Sequence, residues 1–197
     1  MTIETTVNRQ RFTDGERKAL HELGYVVYFL SGRSINNFRQ QGRSFGNRDF
    51  LSNFEELVSR RSEIAFSPLY NFSIPSNLRV NPSLFLPDSE FKTYSEHLAM
   101  IKRFSENLTK GRNRIPGITA ILGQAPDYIE LAFLHFDTTG KYLFGPAYDH
   151  TRTLTRCESY IVSVGSYCNP DGVVSVTGFL PDSCGDHIQV APLIVPT

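Results

Sequence analysis

Apolar residues fall at helical spacing in several stretches before Lys141 and in none after it. Thr13-Asp14-Gly15-Glu16 has the form of a capping box, in which hydroxyl and carboxylate each satisfy a free amide at a helix start. The helix it opens runs through Ala19, Leu20 and Leu23 to a left-handed stop at Gly24. Residues 25–30, Y-V-V-Y-F-L, are a β-favouring apolar run that reads as a strand covered on both faces. A short helix over residues 35–41, capped by Ser34, should end at Gly42.

Phe50, Leu51, Phe54, Leu57 and Val58 mark one face of a helix starting near Asn47 or Asp49, and residues 63–66 form a short strand. Residues 67–87 hold Pro68, Pro75, Pro82 and Pro87 yet are too apolar for a linker, so an ordered loop is expected. Asp88 or Ser89 should cap the longest helix, with Phe91, Tyr94, Leu98, Ile101, Phe104 and Leu108 as its buried stripe and Gly111 as its stop.

Residues 117–122 read as a strand. Beyond Lys141 the apolar runs are short and broken by Gly and Pro. Residues 160–167 and 173–180 form a hairpin about Asn169-Pro170-Asp171-Gly172, and residues 187–195 a last strand that Pro192 puts at an edge. Residues 128–136 are apolar at nearly every position and fit a strand or a helix opened by Pro126 and Asp127. Helices gathered in the first part and strands in the last predict an α+β fold, with a mixed or antiparallel sheet under the helices and a β-rich C-terminal part. A length of 197 residues suits one globular domain, preceded by a loose arm over residues 1–11.

Twenty acidic residues balance twenty basic ones, so no global field calls for nucleic acid or an anionic membrane. The balance is uneven along the chain. Residues 1–62 carry ten Lys/Arg against seven Asp/Glu, a net of +3, and residues 63–125 seven against five, +2. Residues 126–197 carry three against eight, a net of −5. The polar N-terminus, the lack of any run of about 18 apolar residues and an odd number of cysteines, three, point to a cytoplasmic protein without a membrane span.

Two clusters offer chemistry. Gly32-Arg33-Ser34 and Gly42-Arg43-Ser44 each join a flexible glycine, a guanidinium and a hydroxyl near a helix start, a donor set suited to phosphate or carboxylate. The same residues also make an ordinary helix cap and a solvated basic face. The spacing is neither a Walker A loop nor a dinucleotide fingerprint, and the formal G-x-S-x-G match at residues 42–46 lacks the preceding strand a nucleophile elbow needs.

The second cluster is His135 and Asp137 with Asp149, His150 and Arg152, which could supply a general base or metal ligands. As a strand, residues 128–136 would put His135 and Asp137 on one side. As a helix, it would part them by about 200°. Tyr142, Phe144 and Tyr148 could wall a pocket beside His150. Cys157, Cys168, Cys184 and His187 add up to a Cys₃His set with a single zinc-like knuckle where structural sites show two. His21 and His97 fall on polar helix faces and are expected in solvent. No cofactor is indicated. The leading expectation is binding of a small anionic ligand or a protein partner. An enzyme of the hydrolase or transferase kind is the rival, and a purely structural module the third possibility.

Overall fold

The structure is a computed structural model that describes residues 9–46, 48–67, 84–110, 114–144, 149–166 and 174–197. The expected stop at Gly111 and the turn over residues 169–172 lie outside these, as do most of the proline-rich stretch, Cys168 and Tyr148.

The first helix, α1 (Asp14–Glu22), opens on the expected reciprocal cap between Thr13 and Glu16, and the chain leaves it through Gly24 at φ 84°. β1 (Val26–Ser31) follows, then α2 (Ile35–Gln40), whose cap Ser34 accepts the Asn37 amide. After β2 (Phe45–Gly46) comes α3 (Arg48–Leu51), a single turn. The longer helix expected here does not form. Amides of Phe54 and Leu57 bond three residues back, and these turns leave Leu57 43 % and Val58 59 % exposed.

β3 (Arg61–Phe66) precedes α4 (Tyr94–Lys110). The cap of α4 is Thr93, not Asp88 or Ser89: its amide bonds Glu96 Oε2 at 2.7 Å and its hydroxyl accepts the Glu96 amide. The buried side of α4 holds Tyr94, His97, Ile101 and Leu108, while Phe91 and Leu98 are exposed. His97 is therefore in the core rather than in solvent, whereas His21 is exposed as expected. β4 (Ile118–Ile121) leads into α5 (Ala125–Thr139), and β5 (His150–Cys157), β6 (Tyr160–Ser166), β7 (Val174–Phe179), β8 (Ile188–Gln189) and β9 (Leu193–Pro196) complete the order.

Two sheets result. One is antiparallel, in the order β1-β3-β9-β4; the other is mixed, β2-β7-β6-β5-β8, with the expected β6–β7 pairing at its centre. The fold is α+β. The final segment is not one edge strand: β8 ends the mixed sheet, and β9 lies inside the antiparallel one between β3 and β4. Pro192 stands at the crossing. The backbone of Ala191 is satisfied there by side chains, its N–H donating to Thr151 Oγ1 and its carbonyl accepting from Tyr128 Oη.

Side chains of the antiparallel sheet alternate between two apolar clusters. Ile64, Phe66, Leu193 and Val195 belong to one, Ala65 and Ile194 to the other. The smaller cluster is closed by Phe12 and Leu20 of the N-terminal region and Leu108 of α4. The larger one joins both sheets through α5, which touches β1, β5 and β6. β1 is covered on both faces, with Val26 and Tyr28 against the larger cluster and Val27 against the smaller. A helix buried all round loses the polar stripe that would identify it, which is why residues 128–136 fit two patterns.

Candidate functional site

Because α5 is a helix, its carboxylates fall on one side. Asp127, Glu130 and Asp137 lie within about 80° of each other around the axis. Each meets an arginine from residues 33–60. Arg60 donates to Asp127 through its backbone amide at 2.7 Å and through its guanidinium at 3.2 Å. Arg33 Nε lies 3.9 Å from Glu130 Oε1, and Arg43 Nη2 donates to Asp137 Oδ2.

Glu130 is buried as deeply as Asp127 and gathers serine donors around the first turn. Its Oε1 accepts the Ser31 amide at 2.9 Å and the Ser31 hydroxyl at 2.6 Å, and its Oε2 accepts the Ser59 hydroxyl. Ser59 Oγ in turn accepts the Arg33 amide at 3.1 Å. A buried carboxylate with its lone pairs occupied by donors is a fixed structural element, and it anchors the turn that carries Arg33.

The two Gly-Arg-Ser turns sit beside each other on this acidic face. Arg33 lies over the Phe38 ring at 5.8 Å and Arg43 over Phe133 at 5.0 Å, and those two rings are 5.1 Å apart. Gly32 takes φ 79°, which lets the chain turn from β1 into α2. Ser34 is buried with its oxygen engaged as the cap of α2, whereas Ser44 is exposed. The residues before Ser44 belong to α2 and its exit turn, so no strand leads into the G-x-S-x-G match.

His135 and Asp137 diverge, as the helical alternative requires. The His135 ring is enclosed by Tyr28 and Phe66, with Nδ1 3.4 Å from Tyr28 Oη. Burial holds its pKa below the ordinary value, and the Lys141 charge adds to this. Asp137 points to Arg43. His150 meets instead the edge of Phe179, at 6.1 Å, and Asp149 takes a 3.5 Å bond from Gln189 Nε2. Burial, then the charges of Glu90 and Asp186, push the Asp149 carboxyl up. The four groups proposed for base or metal chemistry thus take different neighbours.

Arg152 is fully buried. Its Nη1 donates to the Pro181 carbonyl at 3.0 Å and its Nη2 to the Ser183 carbonyl, and Nε has no hydrogen-bond partner among the described residues. Burial lowers its pKa. The side chain braces residues 181–183 from beneath. Tyr142 stacks on Phe136 at 4.9 Å and Phe144 on Phe85 at 6.4 Å. Cys157 and Cys184 are free thiols, and His187 pairs with Asp186. Among the described residues no three His, Cys, Asp or Glu side chains gather as metal ligands would.

Sequence reasoning missed the roles of Asp127, Glu130, Ser59 and Arg60. The available signal was Asp127 and Glu130 themselves: two acids, three residues apart, in an otherwise apolar helix have to be paired. No helix among the described residues is long and apolar enough to cross a membrane. No protein-family model, curated protein or solved structure matches the chain.

Proposed function

We propose that the chain is an anion-binding protein whose site is the pair of turns Gly32-Arg33-Ser34 and Gly42-Arg43-Ser44, and that its ligand carries phosphate or carboxylate groups. The observation that carries this reading is the placement of two guanidinium groups on the abutting rings of Phe38 and Phe133. Aromatic faces hold both cations in position without neutralising them. The nearest acid to Arg33 stands at 3.9 Å, beyond a hydrogen bond, and its Nη1 makes only a 3.5 Å contact with Gln41. The Arg33 side chain is 43 % exposed, which leaves its guanidinium open to a ligand.

Arg43 is paired, but Asp137 is 48 % exposed, and ion pairs of that kind contribute only about 0.2–1 kcal/mol. A ligand with two charged oxygens can displace it and engage both guanidiniums. Ser44 offers an exposed hydroxyl at the same turn, and Ser34 and Gly32 fix the other. A balanced net charge supports a small ligand over nucleic acid, and the free thiols Cys157 and Cys184 support a cytoplasmic location.

The test is isothermal titration with inorganic phosphate and with citrate, comparing the wild type with Arg33→Ala/Arg43→Ala. Binding near about 1 mM or tighter is expected for the wild type, and at least tenfold weaker binding for a variant whose circular dichroism is unchanged. Equal binding by both proteins, or none by the wild type at about 10 mM, rejects the site.

A further inference from the structure

Far from the arginine turns in sequence, two segments meet edge to edge. The Phe91 amide donates to the Gly185 carbonyl at 3.1 Å, and the Tyr94 amide to the Pro181 carbonyl at 3.0 Å. The Pro181 carbonyl also takes Arg152 Nη1, so a buried cation underpins the junction. Ser89, fully buried, holds the other side: its carbonyl meets His97 Nε2 at 2.8 Å and its hydroxyl accepts the Val190 amide.

On this rigid base stand two large apolar side chains in water. Phe91 is 64 % exposed and Leu180 49 % exposed. Phe91 has φ 54° and Asp88 φ 57°, left-handed values that side chains other than glycine seldom take. Such a conformation persists only where surrounding bonds impose it. Here they impose it on a residue that stays 64 % exposed.

The surrounding charge is acidic. Asp88, Glu90, Asp182 and Asp186 are exposed on the two segments, and Asp149 lies alongside, where the His150 amide bonds the His187 carbonyl. Against them stand Lys92, the buried Arg152, Arg156 over the Tyr94 ring, and His187, which is paired with Asp186. Glu90 and Asp186 both raise the Asp149 carboxyl beyond what burial does, which places their negative fields at one point. A cation brought there would relieve the repulsion.

We propose that this surface docks a basic peptide segment of a protein partner, which seats apolar side chains against Phe91 and against Leu180 at the two ends of the junction and lays lysine or arginine over Glu90, Asp182 and Asp186. The aromatic anchor supplies contact area and a face for a guanidinium, and the acids supply register and rate of encounter. The site shares no residue with the arginine turns and does not depend on their ligand.

Selection from a random dodecapeptide display library on the immobilised protein tests it. Enriched peptides should carry net positive charge and at least one Leu, Ile or Phe, and their binding should weaken as salt rises. Phe91→Gly removes the ring and suits the left-handed backbone, so it should keep the thermal midpoint while binding the peptides at least tenfold more weakly. Glu90→Lys/Asp186→Lys should do the same through charge alone. Enrichment of neutral or acidic peptides, no enrichment, or unchanged affinity in both variants overturns the proposal. So does a wild-type dimer in light scattering that Phe91→Gly dissolves, since that assigns the surface to a second copy of the chain.

Discussion

Arg43 and Asp137, 94 residues apart in sequence, form an ion pair. The contact joins a basic turn to the C-terminal half of the central helix, so two stretches that look like separate sites share one surface. It also defines a competitor for any anion that binds Arg43.

Asp137→Asn removes that competitor. Phosphate should bind the variant about two- to fivefold more tightly than the wild type, as expected when an exposed pair worth about 0.2–1 kcal/mol is lost, with little change in stability. Calorimetric titration reads the affinity, and weaker binding would place the anion elsewhere.

Glu130 holds Ser31, Ser59 and the Arg33 turn together from within the core. Glu130→Ala leaves buried donors without acceptors and should cost about 3 kcal/mol, a fall of roughly 1–1.5 M in the urea midpoint. Glu130→Gln keeps an acceptor and should lose less. A midpoint for the alanine variant within about 0.3 M of wild type would contradict the structural role assigned to this carboxylate.

Replacing Arg152 by methionine keeps bulk and deletes the donors to Pro181 and Ser183. The loss should be about 2 kcal/mol, because freed carbonyls are partly offset by the removal of a buried charge. Hydrogen exchange at the amides of Phe91, Tyr94 and Ser183 should quicken at least tenfold, while β6 stays protected. Uniform exchange across the chain would show that Arg152 does not brace that junction.

Acid should weaken the fold below about pH 6.5. Burial lowers the pKa of His97, and the nearby Arg152 charge adds to it despite the bond to Ser89; burial lowers that of His135 as well. Both folded-state values lie under the ordinary 6.5, so the unfolded chain takes up these protons first. Stability is then complete above about pH 6.5 and falls toward the folded-state values, with a slope of at most about 1.4 kcal/mol per pH unit for each histidine. Asp149 runs the other way. Its raised pKa means it costs stability as pH climbs from 3.8 through the folded value, so Asp149→Asn should be more stable than the wild type at pH 7. Urea unfolding between pH 4 and 8 checks both, and His97→Gln should make the fall in stability below about pH 6.5 shallower.

Features encoded within a few residues are legible in the sequence. The Thr13–Glu16 and Ser34 caps, the exit at Gly24, the run over residues 25–30 and the β6–β7 pairing each depend on neighbours close along the chain, and each is present. The α+β class follows from their order. What sequence determined, then, was where local hydrogen bonding begins and ends an element. Tertiary structure decided the rest. Uniform burial erased the period of α5, so only packing between two sheets settled it as a helix and turned His135 and Asp137 apart. His97 has a polar side chain but a core position, because the Ser89 carbonyl receives its Nε2. The crossing at Ala191 and Pro192 between sheets, and the meeting of Arg33, Arg43 and Arg60 with the acids of α5, come from contacts between residues far apart in the chain. Such contacts form by burial and charge pairing in three dimensions, and no periodicity along one chain records them.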